Sequence, residues 1–501
     1  MKLPRSFHNV ISYVGTACTG VSLTVFLFLV VLDALAPKER APYASLVMFV
    51  LVPAVLLVGL ALIPTGMFME YRRVQRTGRP SIENFPVVNL NDPRQRNAFT
   101  IFTSASVLLL FLSVFGSYQA YEATESVSFC GGMCHTAMEP EYTAYLNSPH
   151  ARVRCVDCHV GSGAEWYVKS KLSGLYQVYA VATDAFPRPI PVPISNLRPA
   201  QETCEQCHWP QKFFEAQLRR QVHFLSDEEN SRWNIDLLIR TGGGGAGPGK
   251  VGGIHWHMNI DNKVEYIATD EQRQVIPWVR MTNRHTGQTV EFMSTESPLS
   301  DADKAKASIR TVDCMDCHNR PSHVYNSPRV AMNIAMADGL IDPTLPSIKK
   351  TGVDLLTATY ATTDEATRAI QEGVLGFYKT EHPEVLRDRR EAVDRSVTEL
   401  QTIFKHNFFP AMKVRWDAYP NNIGHFMFPG CFRCHDGLHK SADGRVISKD
   451  CHSCHSIIAQ GKPDAMQLTA DRKGLKFQHP IDIGDAWEET PCYQCHTGGS
   501  P

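Results

Sequence analysis

The chain has 501 residues, with 50 Lys and Arg against 51 Asp and Glu, 20 His and 15 Cys. The near-neutral balance offers no basic surface for nucleic acid. It also conceals a split: residues 1–121 carry ten basic and five acidic side chains, and the rest carries 40 and 46.

Three apolar runs come first, at roughly 9–32, 42–69 and 98–118. Each has the length of a membrane-spanning helix, which needs about 20 residues. Pro53 and Pro64 in the second run are tolerable inside a packed bundle. The first run ends LDALA, which looks like a signal-peptidase site, but its apolar core is long for a cleaved signal, so an uncleaved anchor is expected. The loop between the second and third runs holds Arg72, Arg73, Arg76, Arg79, Arg94 and Arg96, and the amino terminus holds Lys2 and Arg5. The positive-inside rule places both in the cytoplasm and everything after about residue 120 outside. The expectation is an inner-membrane protein with a periplasmic domain.

Past the third run a short unit recurs. CVDCH spans 155–159, CEQCH 204–208, CMDCH 314–318, CFRCH 431–435, CHSCH 451–455 and CYQCH 492–496; a stretched CGGMCH precedes them at 130–135. The units use Cys130, Cys134, Cys155, Cys158, Cys204, Cys207, Cys314, Cys317, Cys431, Cys434, Cys451, Cys454, Cys492 and Cys495, leaving only Cys18. Structural zinc also uses Cys-x-x-Cys but does not require histidine directly after the second cysteine. A disulfide framework has no use for the histidine. Covalent haem c needs all three residues: each cysteine adds to a vinyl group, and the next imidazole meets the iron. Seven haems are therefore expected, with His135, His159, His208, His318, His435, His455 and His496 as iron ligands.

Each iron has a second axial position, and its occupant separates electron transfer from substrate chemistry. The candidates are His150, His255, His257, His323, His425, His439 and His479, with Met138 and Met133 near the first motif. Supply exceeds demand, which predicts mostly bis-histidine irons that carry electrons and bind no substrate. No Cys-x-x-Cys-Lys marks an open iron, so a terminal reductase of a small nitrogen compound is the weaker alternative. A relay subunit loaded by a partner is the other.

The fold expected is mainly α with much irregular structure and little sheet. It comprises a transmembrane anchor (1–121), a tetrahaem domain (122–330), a haem-free helical segment (331–420) and a trihaem segment (421–501). RTGGGGAGPGKVGG (240–253) reads as a loop. KVEYIA and TVEFMS alternate and could form a hairpin. ATTDEATRAIQEGVLGFY and REAVDRSVTELQTIFKH have helical spacing, the first with an Asp or Thr cap. GSGAEWYVKSKLSGLYQVY suits a helix at the membrane interface, or a plain surface helix.

An anchor followed by FCGGMCHTAM, NSPHARVRCVDCHVG and WYVKSKLSG, over about 98–325, resembles the NapC/NirT family of membrane-anchored quinol-oxidising cytochromes c. With three further motifs and YPNNIGHFMFPGCFRCHDGLH, the whole chain is similar to seven-haem inner-membrane cytochromes of metal-reducing bacteria, the ImcH type. The resemblance implies that a first haem near the membrane takes electrons from menaquinol or ubiquinol. It makes Met138, three residues past His135, the nearest match to the family's methionine ligand. It assigns Lys171, twelve residues past His159, to the quinol pocket, with Asp184 the nearest acid. The implied partners are the membrane quinol pool, the lipid bilayer, and periplasmic cytochromes or reductases.

Overall fold

The computed structural model describes residues 5–35, 52–82, 89–133, 135–161, 164–194, 197–209, 213–242 and 253–499. Two compact units emerge, one of residues 1–125 with 160–175 and one of residues 126–159 with 176–501.

The first unit contains helices α1 (Val10–Leu35), α2 (Val52–Thr77) and α3 (Pro93–Thr124). All three are long and apolar enough to cross a membrane. They cover the three expected runs, except that the start of the second lies outside the described residues. Helices α1 and α2 touch through small residues. A Cβ on Gly15 would stand 2.8 Å from the carbonyl oxygen of Gly59, and one on Gly66 would stand 2.6 Å from Ser12 Oγ. Ser12 Oγ also donates to the carbonyl of Ile63 at 3.0 Å. In lipid, where apolar side chains gain nothing by leaving the solvent, this close backbone approach and an interhelical hydrogen bond are what drive helices together. Helix α3 starts at Pro93 after the Asp92 cap, whose carboxylate accepts from Arg94 N. Its Ile101, Phe102, Leu108, Leu109 and Phe111 are all exposed, as a lipid-facing surface would be.

In the second unit, helix α4 (His135–Leu146) follows the first motif. Helix α5 (Ala164–Ala182), whose residues up to Leu175 belong to the first unit, forms where WYVKSKLSGLYQVY was expected to be helical, and it leaves Leu172, Leu175, Tyr176 and Tyr179 exposed. Past residue 327 come α6 (Pro328–Ala337), α7 (Ile348–Thr357), α8 (Thr363–Glu381) and α9 (Arg390–Asn407). Thr362 caps α8 by accepting from Glu365 N. Buried Ala366, Ile370, Val374 and Tyr378 recur every four residues along α8, and Val393, Val397, Leu400 and Phe404 recur every three or four along α9. That spacing puts each set on one face, and the haem-free helices close an apolar core with Met332, Ile348, Leu356 and Phe224 of β1.

Nine strands form two antiparallel sheets among the described residues, modest in extent but more ordered than a chain with little sheet suggests. They are β1 (Gln217–Phe224), β2 (Arg232–Ile239), β3 (Asn262–Ile267), β4 (Trp278–Asn283), β5 (Thr289–Ser294), β6 (Arg310–Thr311), β7 (His439–Ser441), β8 (His455–Gly461) and β9 (Gln467–Leu468). The sheet orders are β1-β2-β8-β9 and β6-β3-β4-β5-β7. KVEYIA and TVEFMS therefore lie in β3 and β5 but do not pair with each other. The strand WVRMTN sits between them, with Trp278 fully buried. Its pattern is too mixed to stand out in the sequence. Two pairings, β2 with β8 and β5 with β7, join the stretch of four motifs to the stretch of three. Of the glycine-rich loop, residues 243–252 lie outside the described residues. Gly253, at φ +55°, has no room for a side chain, because a Cβ there would overlap the Arg240 carbonyl.

Leu400 is fully buried between these helices. Leu400→Ala is expected to destabilise the second unit by about 2–5 kcal/mol, read as a lower denaturant midpoint in far-ultraviolet circular dichroism.

Candidate haem sites and the Lys171 pair

Each regular motif is one tight turn. The histidine amide donates to the carbonyl of the first cysteine at 2.8 Å for His208, 2.7 Å for His318, 3.0 Å for His435 and 2.8 Å for His496. Residues Cys155–His159 form a short helix, and Cys451–Ser453 a tighter turn. Such a turn sets both thiols on one side and sends the imidazole off its end. Acidic caps hold several turns: Asp313 and Asp316 form a capping box around Cys314–Cys317, and the Asp450 carboxylate accepts from His452 N.

The stretched first motif winds as a π-helical turn over Phe129–Met133, which takes up its additional residue. Gly131 lies under the Tyr142 ring, where any Cβ would overlap it. Cys134 and the His135 side chain lie outside the described residues. Met138 is half-buried on α4, and Met133 is exposed.

Six motif histidines each face a second histidine. Ring centroids are 6.3 Å apart for His159–His323, 6.1 Å for His150–His208, 6.3 Å for His255–His318, 5.8 Å for His257–His435, 6.2 Å for His425–His455 and 6.0 Å for His479–His496. With metal–imidazole bonds of about 2.0 Å, two rings on opposite sides of one metal have centroids roughly 6 Å apart. The six gaps therefore fit an iron held between two imidazoles. Burial holds several of these rings neutral, as ligation requires: His323 and His496 are pushed down to about 4, and His159, His257, His318, His425 and His455 are also lowered.

Backbone carbonyls aim the rings. Nδ1 of His323 lies 2.9 Å from the Glu141 carbonyl, that of His150 3.2 Å from Pro321, and that of His255 2.7 Å from Thr241. His257 Nδ1 reaches the Ile254 carbonyl at 3.1 Å, and His479 Nδ1 reaches that of Ile481 at 2.7 Å. With Nδ1 engaged, Nε2 is left for a metal.

The seventh named candidate, His439, is different. It is buried with Nδ1 2.9 Å from Asp436 Oδ1 and Nε2 2.7 Å from the Ile276 carbonyl, so both nitrogens are engaged. Nearness in sequence misleads elsewhere too. His150 precedes the second motif but faces the histidine of the third; His323 follows the fourth but faces that of the second.

The motifs adjoin one another in order. A hydrogen bond from Cys130 holds the Cys155 thiol down at about 7, and one from Cys314 holds Cys204 at about 6. Burial, then Cys204 and Cys207, pushes Cys158 up. Burial and Cys431 push Cys317 up to about 11. Burial, then Cys431, does the same for Cys454, and Cys451 adds to the rise at Cys492. Each motif thus has a cysteine within electrostatic reach of one in the next motif. None of the described cysteines is paired in a disulfide, and among the described residues no three His, Cys, Asp or Glu converge as on a bare metal ion.

Lys171 lies on α5, in the first unit. Its Nζ stands 2.8 Å from Oε1 of Glu125, which is only 4% exposed. Asp184, the acid expected near it, is 70% exposed and pairs with Arg188. Glu125 was not singled out in the sequence. The available signal was its position, an acid at the C-cap of α3 and five residues before Cys130.

Residues 92–189, from α3 through both first motifs, Lys171 and Asp184, match the NapC/NirT cytochrome c family, N-terminal region. With three helices able to cross a membrane, this makes the molecule a membrane cytochrome c of electron transfer, carrying covalently bound haem. Over 489 residues, 97% of this chain and 95% of the relative, it is 43% identical to the cytochrome c-type protein ImcH of Geobacter sulfurreducens, and it belongs to that family. No solved structure matches it.

Gly131→Val is expected to displace Tyr142 and lower the haem content measured as pyridine haemochrome. Adding Tyr142→Ala to the same chain is expected to restore it.

Proposed function

We propose that this protein oxidises menaquinol or ubiquinol at the outer surface of the inner membrane and delivers the electrons to periplasmic acceptors. The observation that carries this reading is the Lys171–Glu125 ion pair, in which a buried carboxylate just upstream of the first motif meets a half-exposed ammonium from α5. Quinol oxidation releases two protons and two electrons. One quinol hydroxyl would donate to Glu125, whose carboxylate takes the proton. The Lys171 ammonium would hold the negative charge on the oxygen as that proton leaves. In this role Glu125 replaces Asp184.

Haem c, attached at seven sites, supplies one-electron acceptors in series for a two-electron donor. His159, His208, His255, His257, His318, His323, His425, His435, His455, His479, His150 and His496 would hold six of the irons in pairs, and His135 with Met138 the first. Filling both axial positions with side chains leaves no place for a small substrate, which favours transfer over reduction of a nitrogen compound. The arginines between the second and third apolar runs, from Arg72 to Arg96, support a cytoplasmic connection and a periplasmic haem region.

The test is anaerobic mixing of the detergent-solubilised, haem-loaded protein with a menaquinol analogue, following the haem α-band. Glu125→Gln and Lys171→Gln are each expected to slow reduction by quinol roughly 10²-fold or more, with full reduction by dithionite retained. Wild-type protein that quinol cannot reduce, but dithionite can, would contradict the proposal and leave a relay loaded by a partner.

The imidazole planes add a second expectation. His257 and His435 cross at 90°, while His255 and His318 are parallel within 3°. Crossed planes bring two iron d orbitals close in energy, so the oxidised protein is expected to show a strongly anisotropic large-gmax signal beside rhombic low-spin signals in electron paramagnetic resonance. A wholly rhombic spectrum would contradict the His257–His435 assignment.

A further inference from the structure

The sixth site differs from the fifth in what stands behind its imidazoles. At the fifth, both rings have an acceptor: His257 Nδ1 lies 3.1 Å from the Ile254 carbonyl, and His435 Nδ1 lies 2.8 Å from the Ser448 carbonyl. At the sixth, Nδ1 of His425 and Nδ1 of His455 are both buried, and neither has a hydrogen-bond partner. His425 instead lies against Phe432, with centroids 4.3 Å apart and planes 13° apart. His452 Nδ1, inside the same motif, is also buried and unpartnered. Among the described residues, no other facing pair has both Nδ1 atoms in this condition.

A carbonyl that accepts the Nδ1 proton makes the opposite nitrogen more basic. A more basic imidazole donates more charge to iron and favours the ferric state, and outer hydrogen bonding is one of the protein's means of setting a haem potential. Without an acceptor, the imidazole donates less and the ferrous state gains. The two sites compared share one ligand type and are neighbours, since Cys431 and Cys454 lie within reach of each other's charge. Ligand type therefore does not separate the two sites, and hydrogen bonding to the imidazoles is a difference between them.

We propose that the sixth site holds its electron at a higher potential than the fifth, because its two imidazoles lack the carbonyl acceptors that both imidazoles of the fifth possess. The inference rests on the histidine pairs acting as axial ligands, as proposed above. It gives the transfer chain a direction within the C-terminal segment, since an electron at the fifth site moves to the sixth more readily than it returns.

The ring planes make the two sites separable, at 90° for the fifth and 20° for the sixth. His150 and His208 also cross steeply, at 73°, so in a reductive titration of the full-length, haem-loaded protein followed by electron paramagnetic resonance the fifth site is identified as the large-gmax component missing from His257→Ala. The sixth is identified as the rhombic component missing from His425→Ala, which opens that iron and should add a high-spin signal. The expected result is that this rhombic component disappears first as the potential falls, with the large-gmax signal surviving to lower potential. Loss of the large-gmax signal first, or of both together, would overturn the inference. Phe432→Asn, which offers His425 an amide oxygen, is expected to move the rhombic component alone to lower potential; an unmoved midpoint would overturn the hydrogen-bond cause. If His425→Ala gains no high-spin iron, the ligand pairing itself fails. The two failures thus have different signatures.

Discussion

Pairs of imidazoles held about 6 Å apart set the architecture of the larger unit. A gap of that width between two rings cannot be filled by side-chain packing without losing the aim of both. It persists because each ring is fixed from behind, by a motif turn on one side and usually by a carbonyl on the other. Several partner histidines come from distant parts of the chain, so those pairs are also long-range ties. His323 lies 164 positions from His159, and His257 lies 178 from His435. Closing several such ties at once leaves few ways to arrange the segments between them.

The rest of the unit serves those ties. Strand β8 begins at His455 itself and pairs with β2, while β7 begins at His439 and pairs with β5. The sheets thus lock the late motifs onto the framework that positions the early ones. His439 belongs to this scaffold: bonded to Asp436 and to the Ile276 carbonyl, it pins the turn after the fifth motif. The haem-free helices share a core with Phe224 of β1 and reach the seventh motif, where Trp416 Nε1 donates to the Thr497 carbonyl at 3.0 Å and Arg329 Nη1 lies 2.5 Å from His496 Nδ1. In the membrane unit the logic changes with the solvent. Glycine contacts and a serine hydroxyl hold α1 to α2, while α3 presents apolar side chains outward.

Much of this was legible because local rules act on contiguous residues. The three apolar runs, the motif turns and the cap at Thr362 depend on near neighbours alone. The facing pairs were legible as a pool of histidines but not as partners, because partnership is decided by the path of the chain around each site. The same limit hid β4, whose pairing edges are supplied by β3 and β5, and it hid Glu125. Burial beside Lys171 makes that carboxylate unusual, and burial is a property of the fold.

The measurement that bears most directly on this account is near-infrared magnetic circular dichroism of the oxidised, haem-loaded protein, in which the position of the low-spin charge-transfer band reports the axial ligand pair. The account expects bis-imidazole bands for six irons, with only the first differing. High-spin iron at several sites, or bands from other ligand pairs at more than one, would contradict the pairing on which the transfer chain is built.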